Sequence, residues 1–120
     1  MARRIYTGTD TALMAKDYDA QADQAYYRAR KNAQTAHDFY RHAASQAEMA
    51  RWLTRRIARG ADMGELPTPA EAEESARTWV QLADSFLESS FRDTERARSY
   101  AAAARRYRRM AAEQAARIAS

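Results

Sequence analysis

The sequence contains no cysteine, which excludes a disulfide framework, a Cys-ligated zinc site and a thiol nucleophile. Glycine (three) and proline (two) are nearly absent, so turns are few and elements are few. Val, Ile and Leu together number nine among 120 residues, too few for the strands of a β-sandwich or an α/β sheet. No apolar run approaches the ~18 residues of a transmembrane span. The opening Met1-Ala2-Arg3-Arg4-Ile5-Tyr6 lacks the apolar stretch of a signal peptide. These absences lead to the expectation of a cytoplasmic protein that makes no membrane contact.

What is present is alanine, 29 residues of it. Leu, Ile, Val and Phe total only 12, a level that ordinarily warns of disorder. Three features oppose that reading. Net charge is only +4, and strong helix formers (Ala, Arg, Glu, Gln, Leu, Met, Lys) supply 73 residues. Above all, the small residues recur with a period, which a disordered chain has no reason to keep.

The punctuation divides the chain into an arm and two helices. Residues 1–9 read as a flexible N-terminal arm ending in Thr7-Gly8-Thr9, with Asp10 placed to cap the first helix. From Thr11 to Arg59 there is neither Gly nor Pro. Arg55, Arg56 and Arg59 suit the negative end of a helix dipole, and Gly60 stands where a left-handed residue would end the helix. Residues 60–67 form the connection. Thr68-Pro69-Ala70-Glu71 then opens a second helix, with Thr68 as cap, Pro69 in the first helical position and Glu71 completing a capping box. The expected hairpin is therefore helix 10–59, loop 60–67 and helix 68–119. Ser90 and Asp93 mimic a second capping box, but no Gly or Pro enforces a break there. Helices of ~50 residues, about 75 Å each, are far longer than usual and imply a coiled coil.

The period supports this. Every seventh residue from Ala15 is small: Ala15, Ala22, Ala29, Ala36, Ala43, Ala50, then Ile57. The second helix repeats the ladder with Ala76, Ala83, Ser90, Ala97, Ala104, Ala111, then Ile118. Six consecutive alanines have a chance of roughly 2 in 10,000 at this composition. A companion column holds Tyr18, Ala25, Asn32, Phe39, Gln46 and Leu53, matched by Trp79, Phe86, Asp93, Tyr100, Tyr107 and Gln114. A seven-residue repeat implies a left-handed supercoil, and alanine in the seam lets two backbones approach closely. The short connection makes the helices antiparallel. Ala50 then faces Ala76, Ala29 faces Ala97 and Ala15 faces Ala111. Ala22, Ala29, Ala36, Ala43, Ala83, Ala97 and Ala104 form the expected packing seam. Charge agrees: residues 31–60 carry six Lys/Arg against two acids, whereas residues 61–90 carry one against seven.

The apolar stripe is wider than one hairpin can cover. Met14, Tyr26, Tyr40, Met49, Val80, Leu82, Leu87 and Met110 flank the ladder, and Tyr27, Trp52 and Phe91 lie further round. Hairpins that associate, most simply as a homodimeric four-helix bundle, would cover them.

Candidate chemistry is thin. His37 and His42 bracket Asp38, and Asp38 and His42 are one turn apart. Helical carboxylate-bridged metal sites use Glu-x-x-His and several inward Glu, and no such motif occurs here, so a solvated polar face is the expectation. Glu71, Glu73 and Glu74 are explained by capping and the helix dipole. The serines belong to no nucleophile motif, and no Gly-rich phosphate loop exists. Catalytic, cofactor and metal residues are accordingly expected to be absent.

Basic residues offer more. Residues 91–120 hold eight Arg against three acids. Arg is the better phosphate clamp, being planar and bidentate. Arg3, Arg4, Arg98, Arg105, Arg106 and Arg109 are the candidate phosphate-binding set, suited to nucleic acid without base readout. Against this, 18 of the 20 basic residues are Arg, which GC-rich coding alone would produce. Asp17, Asp19 and Asp23 can also neutralise part of the cluster. The sequence thus predicts an all-α antiparallel two-helix hairpin, an Ala-rich heptad coiled coil that dimerises. Its function would be non-enzymatic, structural or in interaction with itself or a further protein. The alternative is a nucleic-acid-binding accessory protein.

Overall fold

A computed structural model of the chain describes residues 8–119. It is an all-α helical hairpin with no strand among those residues. Helix α1 spans Gly8–Ala58 and α2 spans Pro69–Ala119, 51 residues each. Neither is interrupted; the residues of Ser89–Asp93 are helical.

Helix α1 begins two residues before the expected cap. Gly8 and Thr9, assigned from sequence to the arm, are helical, and Asp10 is a first-turn acid. The reason is electrostatic: a carboxylate interacts favourably with the whole positive end of the helix dipole, so cap and first turn present the same sequence signal. The rest of the expected arm, with Arg3 and Arg4, lies outside the described residues.

The other end of α1 closes on Gly60, whose φ of +81° only glycine adopts without strain. The Gly60 N–H donates to the Ile57 carbonyl at 2.9 Å, and the Ala61 N–H to the Arg56 carbonyl at 3.1 Å. These are the two closing bonds of a Schellman motif. Asp62 then accepts from the Gly64 N–H at 3.0 Å, an Asx turn. At the start of α2 the Glu71 N–H donates to Thr68 Oγ1 at 3.1 Å. The Thr68 hydroxyl donates in turn to Glu71 Oε1 at 3.1 Å. The box closes side chain to side chain, where the usual reciprocal bond uses the cap's own N–H.

Packing divides the chain into two units, one running Arg30–Ser90 and the other formed by residues up to Ala29 and from Phe91 onward. In the Arg30–Ser90 unit, Ala36, Ala43 and Ala50 of α1 and Ala72 and Ala83 of α2 are buried. Leu53 packs with Ala50 and Ala72, and Met63 of the loop covers them. Phe39 meets Trp79 with ring centres 5.1 Å apart and Phe86 edge-on at 5.4 Å. His42 stacks on the Trp79 ring at 4.9 Å.

In the second unit, Ala15, Ala22, Ala25 and Ala29 are buried with Ala97, Ala103 and Ala104. Tyr18 stacks against Tyr107 at 5.5 Å and Tyr100 at 6.2 Å. Thr11, fully buried, donates through Oγ1 to Gln114 Oε1 at 3.0 Å. Asp93 lies between the Arg28 and Arg96 guanidinium groups, each 3.9 Å away, with only 11% of its side chain exposed. Pairing is what makes burial of that carboxylate tolerable.

Candidate functional site

Two surface features have enough definition to bind something: an apolar groove in the Arg30–Ser90 unit and an arginine patch in the other. The groove follows from helical spacing. Phe39 stands three residues after Ala36, and Tyr40 stands four after it. The two therefore leave the alanine column on opposite flanks. The Phe39 flank is filled by Trp79, Phe86 and His42. The Tyr40 flank stays open as a hollow of about 510 Å³. It is lined by Tyr40, Ala43, Ala44 and Ala47 of α1 and by Ala76, Arg77, Val80 and Gln81 of α2. The Tyr40 hydroxyl donates to the Asp84 carboxylate across the two helices. That bond favours the protonated phenol and, with partial desolvation and the nearby negative charge, holds the Tyr40 pKa above its usual value.

At the turn end of the same unit, Arg51, Thr54, Arg55 and Glu73 surround a hollow of about 360 Å³. Cations on α1 thus stand beside an acid on α2. Further round, Asp38, Arg41, His42 and Ser45 line a hollow of about 300 Å³. Among the described residues no three His, Asp or Glu come together to hold a metal ion. Glu71 is engaged in the cap.

In the second unit, Arg105, Arg108 and Arg109 line an open hollow of about 440 Å³. Spacings of three and four residues put them on one helix face. Arg108 is tied to the Asp19 carboxylate of α1. Arg105, Arg106 and Arg109 are exposed and have no acidic partner among the described residues. The sequence-predicted phosphate set is thereby divided. Arg105 and Arg109 converge, and Arg106 is exposed outside the hollow. Arg98 pairs with Glu95 at 3.2 Å, while Arg3 and Arg4 lie outside the described residues. Arg108, absent from that set, completes the patch, and its spacing from Arg105 is the signal that marks it.

The seven seam residues are all buried. Ala22, Ala29, Ala97 and Ala104 lie in one unit, and Ala36, Ala43 and Ala83 in the other. No helix among the described residues is long and apolar enough to cross a membrane. No family model, curated protein or solved structure matches the chain.

Proposed function

We propose that the chain is a non-enzymatic structural and interaction protein that works in the cytoplasm through helix packing and self-association. Its simplest assembly is a homodimeric four-helix bundle of the coiled-coil type. One observation carries this reading. Among the described residues every buried hydrophobic side chain except Leu53 is an alanine, while Leu13, Tyr27, Trp52, Val80, Leu82 and Phe91 are exposed. Burying a Val, Leu or Phe contributes about 1.5–3 kcal/mol each, and a single hairpin leaves most of that unused. The chain exposes 9068 Å². A folded monomer of 13.7 kDa ordinarily exposes roughly 6,600 Å². The excess exceeds the ~1,200–2,000 Å² total of a standard stable interface. A non-catalytic role is supported by the polar groups most suggestive of chemistry. Glu71 caps α2, His42 stacks on Trp79 and Asp93 pairs with two arginines.

Sedimentation equilibrium over a concentration series tests the reading. The expected result is a species of twice 13.7 kDa that dissociates on dilution. A mass that stays at one chain throughout would overturn self-association and turn the search to a different protein partner.

A second reading, binding of nucleic acid through phosphates, is favoured by the convergence of Arg105, Arg108 and Arg109. Replacing Arg105, Arg106 and Arg109 together by Gln should weaken binding to labelled DNA or RNA and flatten its salt dependence. The slope of log K against log salt should fall by about 0.7–0.9 for each phosphate that is no longer neutralised. Helicity by circular dichroism should be unchanged. An unaltered slope would remove these residues from any phosphate site, and no binding at low salt would remove the reading itself.

A further inference from the structure

We propose that the Tyr40–Val80 groove is covered by a second copy of this chain, related by a two-fold axis parallel to the helices. Residues 30–58 of one copy then lie against residues 69–90 of the other. This rests on the self-association proposed above and adds the face and the orientation. Four of the eight residues that line the groove are alanine, which lets a helix ridge approach at short range. Its Tyr40 wall is held by the bond to Asp84.

Charge selects the occupant. Residues 31–60 carry six cations and two acids, and residues 61–90 carry one cation and seven acids. The segments that flank the groove therefore differ in net sign, although Arg77, the one cation of the second segment, lines the groove itself, and Arg51 and Arg55 stand beside Glu73 around a separate hollow. A patch that carries both signs on opposite sides is self-complementary, as an isologous interface requires. An axis parallel to the helices keeps each residue at its own height. It sets the cationic α1 flank of one copy against the acidic α2 flank of the other. All neighbouring helices are then antiparallel, as in up-down bundles. An in-plane axis perpendicular to the helices would set α1 against α1 and bring like charges together.

Because the chain has no cysteine, introduced thiols report the arrangement directly. Tyr40 reaches Asp84, so Ala44 and Val80 stand level with one another one turn along. Two differently tagged full-length chains, one carrying Ala44→Cys and one carrying Val80→Cys, are mixed and oxidised. The expected result is a disulfide joining the two tags, with no cross-link when the A44C chain is oxidised alone. Cross-linking of the A44C chain with itself, without the mixed product, would overturn the orientation and leave self-association standing. A dimeric mass with no cross-link in any combination would overturn the groove as the interface and again leave self-association standing. A monomeric mass would remove both. Val80→Lys is an independent check at an exposed position. It should retain helicity and raise the dimer dissociation constant by at least about tenfold. An unchanged constant would overturn the proposal.

Discussion

Truncation of Leu53 to alanine should lower the unfolding free energy by about 3 kcal/mol, read from the midpoint of urea denaturation at an unchanged slope. Leu53 is 1% exposed and is the only non-alanine hydrophobic side chain buried among the described residues. Its partners Ala50 and Ala72 are too short to close over the space it would leave. Met63 is the partly buried hydrophobic side chain packed against this cluster, and a thioether side chain adapts to gaps. Met63 therefore sets where the loss falls within the ~2–5 kcal/mol range of such truncations. A loss below about 1 kcal/mol, under the floor of that range, would mean that Met63 refills the site and that Leu53 is not its anchor.

The opposite substitution should be harmful for the opposite reason. Ala36→Leu adds apolar surface, which at a half-exposed position would stabilise. Ala36 is 1% exposed, and the added carbons can be placed only by moving the helices apart or by forcing strained rotamers. Overpacking of this kind costs about 1–3 kcal/mol, here toward the upper end because separation also loosens Phe39 against Trp79 and Phe86. A fall in melting temperature of about 10 °C is expected. Ala20→Leu is the control, since Ala20 is exposed and such positions respond within about 0.5 kcal/mol. If the Ala36→Leu protein melted at or above the parent temperature, the close-seam account of this hairpin would be wrong.

Much of this architecture is legible in the sequence because local chemistry and heptad period agree. Gly60 marks a left-handed cap, and Thr68, Pro69 and Glu71 each satisfy a different requirement of a helix start. Each signal is short-range, so no tertiary information is needed to read it. The ladder is legible for a different reason: its period matches the contact geometry of two helices. It fails at its ends. Ile57 and Ile118 occupy ladder positions yet are 48% and 83% exposed. Ile57 stands level with the loop, and Ile118 is four residues beyond Gln114, which already meets the first turns of α1. Period specifies a face; only the partner helix determines whether that face is covered.

The candidate surfaces are less legible, because they depend on side chains that meet across the hairpin. By local rules Asp93 reads as part of a helix start, but it serves as a buried acid between Arg28 and Arg96. No local rule links residue 93 to residue 28. The Tyr40–Asp84 and Arg108–Asp19 pairs are of the same kind. The arginine patch is visible in composition but only partly in membership. A count of cations does not say which guanidinium groups converge on one face.

The alanine seam also has a consequence for the entropy of folding. A methyl side chain has no rotamers to lose, whereas ordering an Arg, Met or Gln side chain forfeits up to about 1.5–2 kcal/mol. The alanine positions of the seam therefore close with almost no side-chain ordering, and the ordering cost falls on the aromatic pairs beside them. Exposed arginines outside the ion pairs, Arg105, Arg106 and Arg109 among them, keep their mobility in the single hairpin. That freedom remains to be lost when a partner docks. Affinity should accordingly be sensitive to substitutions that stiffen the surface, even where they add no contact to the interface.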